Sequence, residues 1–95
     1  MDDRFRLGAD LFRRLAHPGR LEVLDLLRRY SPRSVSELQE LTGLERTALS
    51  HQLRVLREGR LVRTEREGKH VLYALADDHV ASIVGDALSH IEEPG

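Results

Sequence analysis

Ninety-five residues with a net charge of −1, of which 40% are hydrophobic and 33% charged, describe one soluble, helix-friendly domain (residues 1–95) too short for two cores. The absence of cysteine excludes disulfides, thiol redox sensing and thiolate metal sites, leaving imidazole and carboxylate as the metal donors. Aromatics at 4% with no Trp exclude a stacking platform for single strands, and no apolar run nears the roughly 20 residues that span a bilayer.

The start Met1-Asp2-Asp3-Arg4 has no signal-peptide pattern, so a cytoplasmic location is expected. A first helix is predicted from about Arg4 to Ala16, with Phe5, Leu11, Phe12 and Leu15 on one broad face. His17-Pro18 breaks it, and Pro18 suits the first position of a second helix running to about Arg29, with Leu21, Leu24 and Leu27 spaced by three. Tyr30-Ser31-Pro32-Arg33 reads as a loop. Ser36 reads as the N-cap of a short helix with Leu38 and Leu41 inward.

Thr42-Gly43-Leu44 supplies a tight turn into a further helix over about Glu45–Glu58. Ala48, Leu49, Leu53 and Leu56 are expected on its core side, and Arg46, Thr47, Ser50, His51 and Arg54 on the other. A helix-turn-helix over about 36–58 has this pattern, and so does a plain αα-hairpin in a bundle. Leu61–Arg66 then reads as a strand, Glu67-Gly68 as a turn, and Lys69–Ala76 as a return strand with Val71, Tyr73 and Leu75 alternating. A hairpin there, over about 61–76 with Arg66, Lys69 and His70 at its tip, is a wing, although basic tips also protect sheet edges.

Charge is distributed unevenly. Residues 45–70 carry seven Lys/Arg against four Glu, whereas residues 77–95 carry five acids and no Lys or Arg. Such asymmetry suits a nucleic-acid face at one place and a different task at the other.

The last helix, about 77–93, starts at Asp77/Asp78 and sets Val80, Ile83, Val84, Ala87, Leu88 and Ile91 in one apolar stripe. With the first helix also apolar, a homodimer through the first and last helices is expected. Along the last helix, Asp77 and His79 lie near one end, His90 and Glu93 near the other. His79 and His90 share an edge but stand roughly 16 Å apart at 1.5 Å per residue. One chain cannot bring both to one ion. Two such helices packed antiparallel about a two-fold axis can, giving two equivalent intersubunit sites with two imidazoles and two carboxylates, a set that suits Zn(II). Singly, the residues have plainer explanations: caps at Asp77 and Asp78, an imidazole at a helix C-terminus at His90, a solvated acid at Glu93, an interface histidine at His79.

Leu15-Ala16-His17-Pro18-Gly19-Arg20-Leu21-Glu22-Val23-Leu24, Thr47-Ala48-Leu49-Ser50-His51-Gln52-Leu53, Gly68-Lys69-His70-Val71 and Asp77-x-His79-Val80 together resemble the ArsR/SmtB family of metal-sensing repressors across essentially the whole chain. Within it the chain is most similar to SmtB-like zinc sensors, whose dimer-spanning Asp, His, His, Glu set maps onto Asp77, His79, His90 and Glu93. The cysteines of arsenic, cadmium and lead sensors are missing, with Val35, Ser36 and Leu38 at the corresponding helix. The added histidines of nickel and cobalt sensors are missing too, which favours zinc.

The resemblance implies a mainly α winged helix-turn-helix homodimer that represses a metal efflux or sequestration gene. Its apo dimer would bind an inverted-repeat operator in double-stranded DNA, and Zn(II) would release it. Thr47, Ser50 and His51 would reach base edges, Arg46 and Arg54 phosphate or guanine, and Arg66, Lys69 and His70 would flank from the wing. His90 would reach the loop near Arg60, linking the metal site to the reading unit. No membrane and no small-molecule substrate are implied. An enzyme is excluded by the lack of a nucleophile–base pair, a phosphate loop or an open metal position. The alternatives are a repressor of the same fold answering nickel, cobalt or a non-metal signal, and a winged-helix module that binds protein instead of DNA.

Overall fold

Pro18 ends one helix and begins the next. Its ring excludes helical backbone at His17 but suits a first helical position, and His17 caps the new helix, its Nδ1 accepting the Gly19 N–H at 3.1 Å. The structure, a computed structural model that describes residues 2–95, runs α1 (Asp3–Leu15), α2 (Pro18–Tyr30), β1 (Arg33–Ser34), α3 (Val35–Thr42), α4 (Arg46–Glu58), β2 (Val62–Glu67), β3 (His70–Leu75) and α5 (Asp78–Glu92). The three strands form one antiparallel sheet in the order β1-β3-β2, pairing Arg33 with Tyr73 and Val62 with Leu75. No helix among the described residues is long and apolar enough to cross a membrane.

The core lies where α2, α3, α4 and the root of the hairpin meet. Val23, Leu24 and Leu27 of α2, Leu38 of α3, and Leu49, Leu53 and Leu56 of α4 are buried, joined by Leu61, Val62, Val80 and Val84. Burying each such side chain is worth about 1.5–3 kcal/mol, so this single cluster outweighs every surface ion pair in the chain. It also fixes α4, whose leucines at 49, 53 and 56 anchor one face while the opposite face stays free.

Several local expectations are corrected. The cap of α3 is Ser34, not Ser36: Ser34 and Glu37 form a reciprocal capping box, the Glu37 N–H donating to Ser34 Oγ and the Ser34 N–H to Glu37 Oε1. The expected 30–33 loop contains β1, which pairs with β3 just before that cap. Leu41 and Ala48 face solvent, because a helix as short as α3 and a turn this tight leave only one seam against the core. The hairpin turn is Gly68-Lys69, one residue later than expected, since Gly68 adopts φ 61° and Glu67 pairs with His70. On β3 Val71 is exposed and Ala74 buried, while Tyr73 and Leu75 pack against the core as partly buried side chains.

α1 and α5 end the chain's own packing incompletely. Only Leu15 of α1 is buried, while Phe5 and Phe12 are each 61% exposed and Ile91 of α5 is 74% exposed. Large apolar side chains left open on two helices of a small domain mark a surface that another molecule covers.

Candidate functional site

The turn between α3 and α4 is built from three local devices. Gly43 takes φ 73°, a left-handed conformation open to glycine, and its N–H donates to the Gln39 carbonyl at 2.8 Å. Thr42 Oγ1 donates to the Leu38 carbonyl at 2.8 Å and accepts the Leu44 N–H at 3.1 Å. Glu45 then caps α4, its carboxylate accepting the N–H groups of Thr47 (3.1 Å) and Ala48 (3.4 Å). These bonds, the Thr47 N–H foremost, hold the Glu45 carboxyl below the usual glutamate range.

With α4 seated by its leucines, Arg46, Thr47, Ser50, His51 and Arg54 all stand in solvent on one side. Arg46 Nη1 reaches Ser36 Oγ at 3.4 Å, Arg54 Nη2 lies 3.4 Å from His51 Nδ1, and Arg54 Nε is 4.0 Å from Glu58. These contacts are long and exposed, and the groups exchange them readily for stronger acceptors such as phosphate or base edges. Arg66, Lys69 and His70 are likewise exposed on the wing, beside Glu67. All eight side chains expected to face DNA are therefore accessible, on two adjoining elements.

The C-terminus of α4 carries an unusual residue. Arg60 has φ 59°, a left-handed conformation that disfavours side chains, yet it completes a Schellman motif. Its N–H donates to the Arg57 carbonyl at 3.0 Å, the Leu61 N–H donates to the Leu56 carbonyl at 2.9 Å, and Leu56 and Leu61 are both buried. The motif turns the chain sharply from α4 into β2.

Asp77, His79, His90 and Glu93 occupy the two ends of α5, which runs unbroken from Asp78 to Glu92. Asp77 is its N-cap, Oδ1 accepting the Val80 N–H at 3.1 Å, and His79 Nδ1 stands 3.6 Å from the same oxygen. The other Asp77 oxygen is free of the cap, and the His79 side chain is 93% exposed. His90 and Glu93 are exposed on the last turn and at its C-cap. Among the described residues of one protomer no three His, Asp or Glu side chains converge as a metal cluster would require. Each protomer presents two half-sets of one imidazole and one carboxylate, at opposite ends of one helix.

Residues 17–64, the segment from the cap of α2 to the middle of β2, match the family described as bacterial regulatory protein, arsR family. The chain belongs to the ArsR family. It is 44% identical over 84 residues to the HTH-type transcriptional regulator NmtR of Mycobacterium tuberculosis, a match covering 88% of this chain and 69% of the relative. It is 37% identical over 91 residues to the transcriptional repressor SmtB homolog of Synechocystis, covering 96% and 68%. The fold superposes with TM-score 0.87 on a homodimeric winged helix-turn-helix DNA-binding domain from Mycobacterium bovis, at 31% identity and covering 96% of this chain and 83% of that one. The chain is thus a transcriptional regulator of ArsR/SmtB type with a winged helix-turn-helix fold, and not an enzyme.

Some residues of this ArsR-family chain had no role by sequence reasoning. Gln52, half-buried on α4 between His51 and Leu53, accepts a hydrogen bond from Arg20 Nε at 2.7 Å, and Arg14 donates to the Val55 carbonyl at 2.8 Å. Two basic residues flanking the His17-Pro18 break were the available signal, but partners 32 and 41 residues away in sequence cannot be read from periodicity.

Proposed function

We propose that this protein is a dimeric, metal-responsive repressor whose apo form binds an inverted-repeat operator and whose zinc-loaded form releases it, opening a metal efflux or sequestration gene to transcription. The single observation that carries the DNA part is α4: three leucines lock it to the core while Arg46, Thr47, Ser50, His51 and Arg54 face outward, next to a basic wing. In this reading Thr47, Ser50 and His51 meet base edges in the major groove, and Arg46 and Arg54 meet phosphate or guanine. Arg66, Lys69 and His70 hold the flanking backbone. A DNA target inside the cell implies a cytoplasmic protein.

The dimer rests on the exposed apolar faces of α1 and α5, with Phe5, Phe12 and Ile91 the residues to be covered. The relative from Mycobacterium bovis with the same fold is homodimeric, which supports the reading. An antiparallel pairing of two copies of α5 brings Asp77 and His79 of one protomer toward His90 and Glu93 of the partner subunit. Two imidazoles and two carboxylates fit zinc, which when bound would cross-link the two copies of α5 at two equivalent places. Asp77 keeps its cap to Val80 with one oxygen and offers the other. In a protomer α5 packs on α2 and β3, its start held beside Leu61 by the Ala76 N–H donating to the Leu61 carbonyl at 3.0 Å, and His90 at its other end would link the metal site to the Arg60 loop.

A fluorescence-anisotropy titration tests both halves. The probe is a labelled duplex selected from a random library by the apo protein, titrated with and without stoichiometric zinc. The expected outcome is tight, steeply salt-dependent apo binding that zinc weakens by a coupling of about 1–3 kcal/mol. Equal affinity with and without zinc would remove the switch and leave the DNA-binding fold. Cobalt and nickel in the same assay decide the metal, and release by either of them alone would favour the neighbouring sensor class over zinc.

A further inference from the structure

One junction ties the surface that faces a second copy to the helix that faces DNA, and it is made of two arginines without acidic partners. Arg14, on the last turn of α1, donates from Nη1 to the Val55 carbonyl of α4 at 2.8 Å. That carbonyl also accepts the Gly59 N–H at 3.2 Å, so the guanidinium sits at the negative end of α4, where a cation is favoured. The Arg14 stem lies against Gly59, where an added Cβ would stand 2.3 Å from Arg14 Cδ. Arg20, on the first turn of α2, donates from Nε to Gln52 Oε1 at 2.7 Å and from Nη1 to the Arg14 carbonyl at 3.3 Å. Arg20 thereby caps the end of α1 while Arg14 caps the end of α4.

The surroundings keep these two cations for this use. Asp10 lines the same hollow, but its carboxylate is taken by Arg13. Among the described residues neither Arg14 nor Arg20 forms an ion pair. α1 packs chiefly on α2 and shares the buried cluster through Leu15, and the Arg14 bond is its polar tie to α4. Gln52 follows Ser50 and His51 directly, which puts Arg20 one residue from the side chains assigned to base edges.

We propose that Arg14 and Arg20 are positioning residues that clamp α1 to the C-terminal half of α4, so that the spacing and tilt of the two reading helices in the dimer follow the α1 surface. The proposal rests on the reading above that α4 meets DNA and α1 meets a second copy. A loose clamp leaves each domain folded but lets α4 vary in angle, and affinity for two half-sites at fixed spacing falls.

The test is anisotropy on the selected duplex at several salt concentrations, with melting and sedimentation confirming a folded dimer. Arg14→Ala and Arg20→Ala are each expected to weaken binding by about fivefold or more, the factor that accompanies loss of one ordinary interaction. The slope of affinity against salt should stay at the wild-type value, because no phosphate contact is removed. Gly59→Ala, which leaves Arg14 in the chain but displaces its stem, should reproduce Arg14→Ala, and Arg14→Lys should recover part of the loss. Gln52→Ala should lose no more than Arg20→Ala, which also gives up the bond to the Arg14 carbonyl, and the double variant should be no weaker than Arg20→Ala, as Gln52 and Arg20 are two members of one bond. Should Arg14→Ala fail to fold, Gln52→Ala and the double variant decide the matter.

Wild-type affinity in these variants, additive losses for Arg20 and Gln52, or a salt slope lowered by about one per arginine overturns the clamp, the last by making the arginines phosphate contacts. A wild-type protein that binds no duplex overturns the DNA reading together with the clamp. One that binds while its variants bind equally well overturns the clamp alone.

Discussion

α4 and α5 both expose polar chemistry, but they are held in different ways. α4 is complete within one chain: Leu49, Leu53 and Leu56 are buried, Glu45 caps its start, a Schellman motif closes its end and arginines grip it from α1 and α2. α5 buries only Val80 and Val84, and leaves Ile91 74% exposed and its imidazole–carboxylate pairs divided between two ends. On the proposed function the difference separates two tasks. A helix that reads DNA is best held rigid within its own domain, whereas a helix that senses an effector can be left unfinished and completed by a second copy, so that the effector acts on the dimer as a whole.

The largest expected effect breaks α4. Leu53→Ala should destabilise the protein by about 2–5 kcal/mol in urea denaturation, because a fully packed side chain leaves a cavity. Ile91→Ala, by contrast, should leave the protomer folded and weaken self-association, read by sedimentation at falling concentration. An unchanged urea midpoint for Leu53→Ala, or an unfolded Ile91→Ala, would reverse the contrast between the two helices.

Next in size is the switch itself. His90→Ala should bind the selected duplex as tightly as wild type without metal, and should lose the zinc-dependent release of about 1–3 kcal/mol. In the proposed four-ligand set, removing one ligand would leave three, too few for a closed zinc site. Normal release of DNA by zinc in this variant would mean that the histidine is an interface or helix-end residue and that the sensing site lies elsewhere.

How much of this was legible in the sequence differs between the same two regions. The leucine spacing of α2 and α4 located the core, because a helix anchored along one face repeats that face in its residues. The basic side of α4 was legible for the same reason. The start of α3 was legible but misassigned: Ser34-Val35-Ser36-Glu37 is a capping-box pattern, and Ser36 drew attention only because it stands nearer Leu38. β1 was not legible, since two residues after a proline carry no alternation and exist as a strand only by pairing with β3. The Arg14 and Arg20 bonds depend on how three helices pack. The donor types at 77, 79, 90 and 93 were visible, and in one protomer they stand at the two ends of α5, so the proposed convergence rests on a second copy.

A smaller effect compares the two left-handed residues that end α3 and α4. Gly43→Ala should destabilise by about 1 kcal/mol, because a side chain at φ 73° is strained. Arg60→Gly should act in the opposite direction, gaining up to about 1 kcal/mol by relieving the same strain at φ 59°. Thermal melts of the two variants, with opposite signs, would establish that the helix-turn-helix is closed by backbone geometry at both ends. Destabilisation by Arg60→Gly would instead show that its side chain holds a contact worth more than the strain.

The smallest expected effect lies in the caps and shows itself only in acid. Glu37 and Glu45 are held below the usual glutamate range, Glu37 first by the Ser34 N–H and Glu45 first by the Thr47 N–H. A carboxyl lowered on folding contributes stability that is complete above its unfolded value and is lost as pH falls through the folded one. The starts of α3 and α4 should therefore loosen below the ordinary glutamate range and be indifferent to pH above it. In melts against pH, the stability difference between wild type and Glu45→Gln should be constant near neutrality and shrink to nothing once the folded carboxyl is protonated. A difference that persisted to the lowest pH would assign the capping role to something other than the charge. Because Glu45 directly precedes Arg46 and Thr47, its carboxylate already neutralises the positive end of α4. Attraction for phosphate at that end must then come from the arginine side chains, and Glu45→Gln should raise affinity for duplexes of any sequence while leaving base preference unchanged.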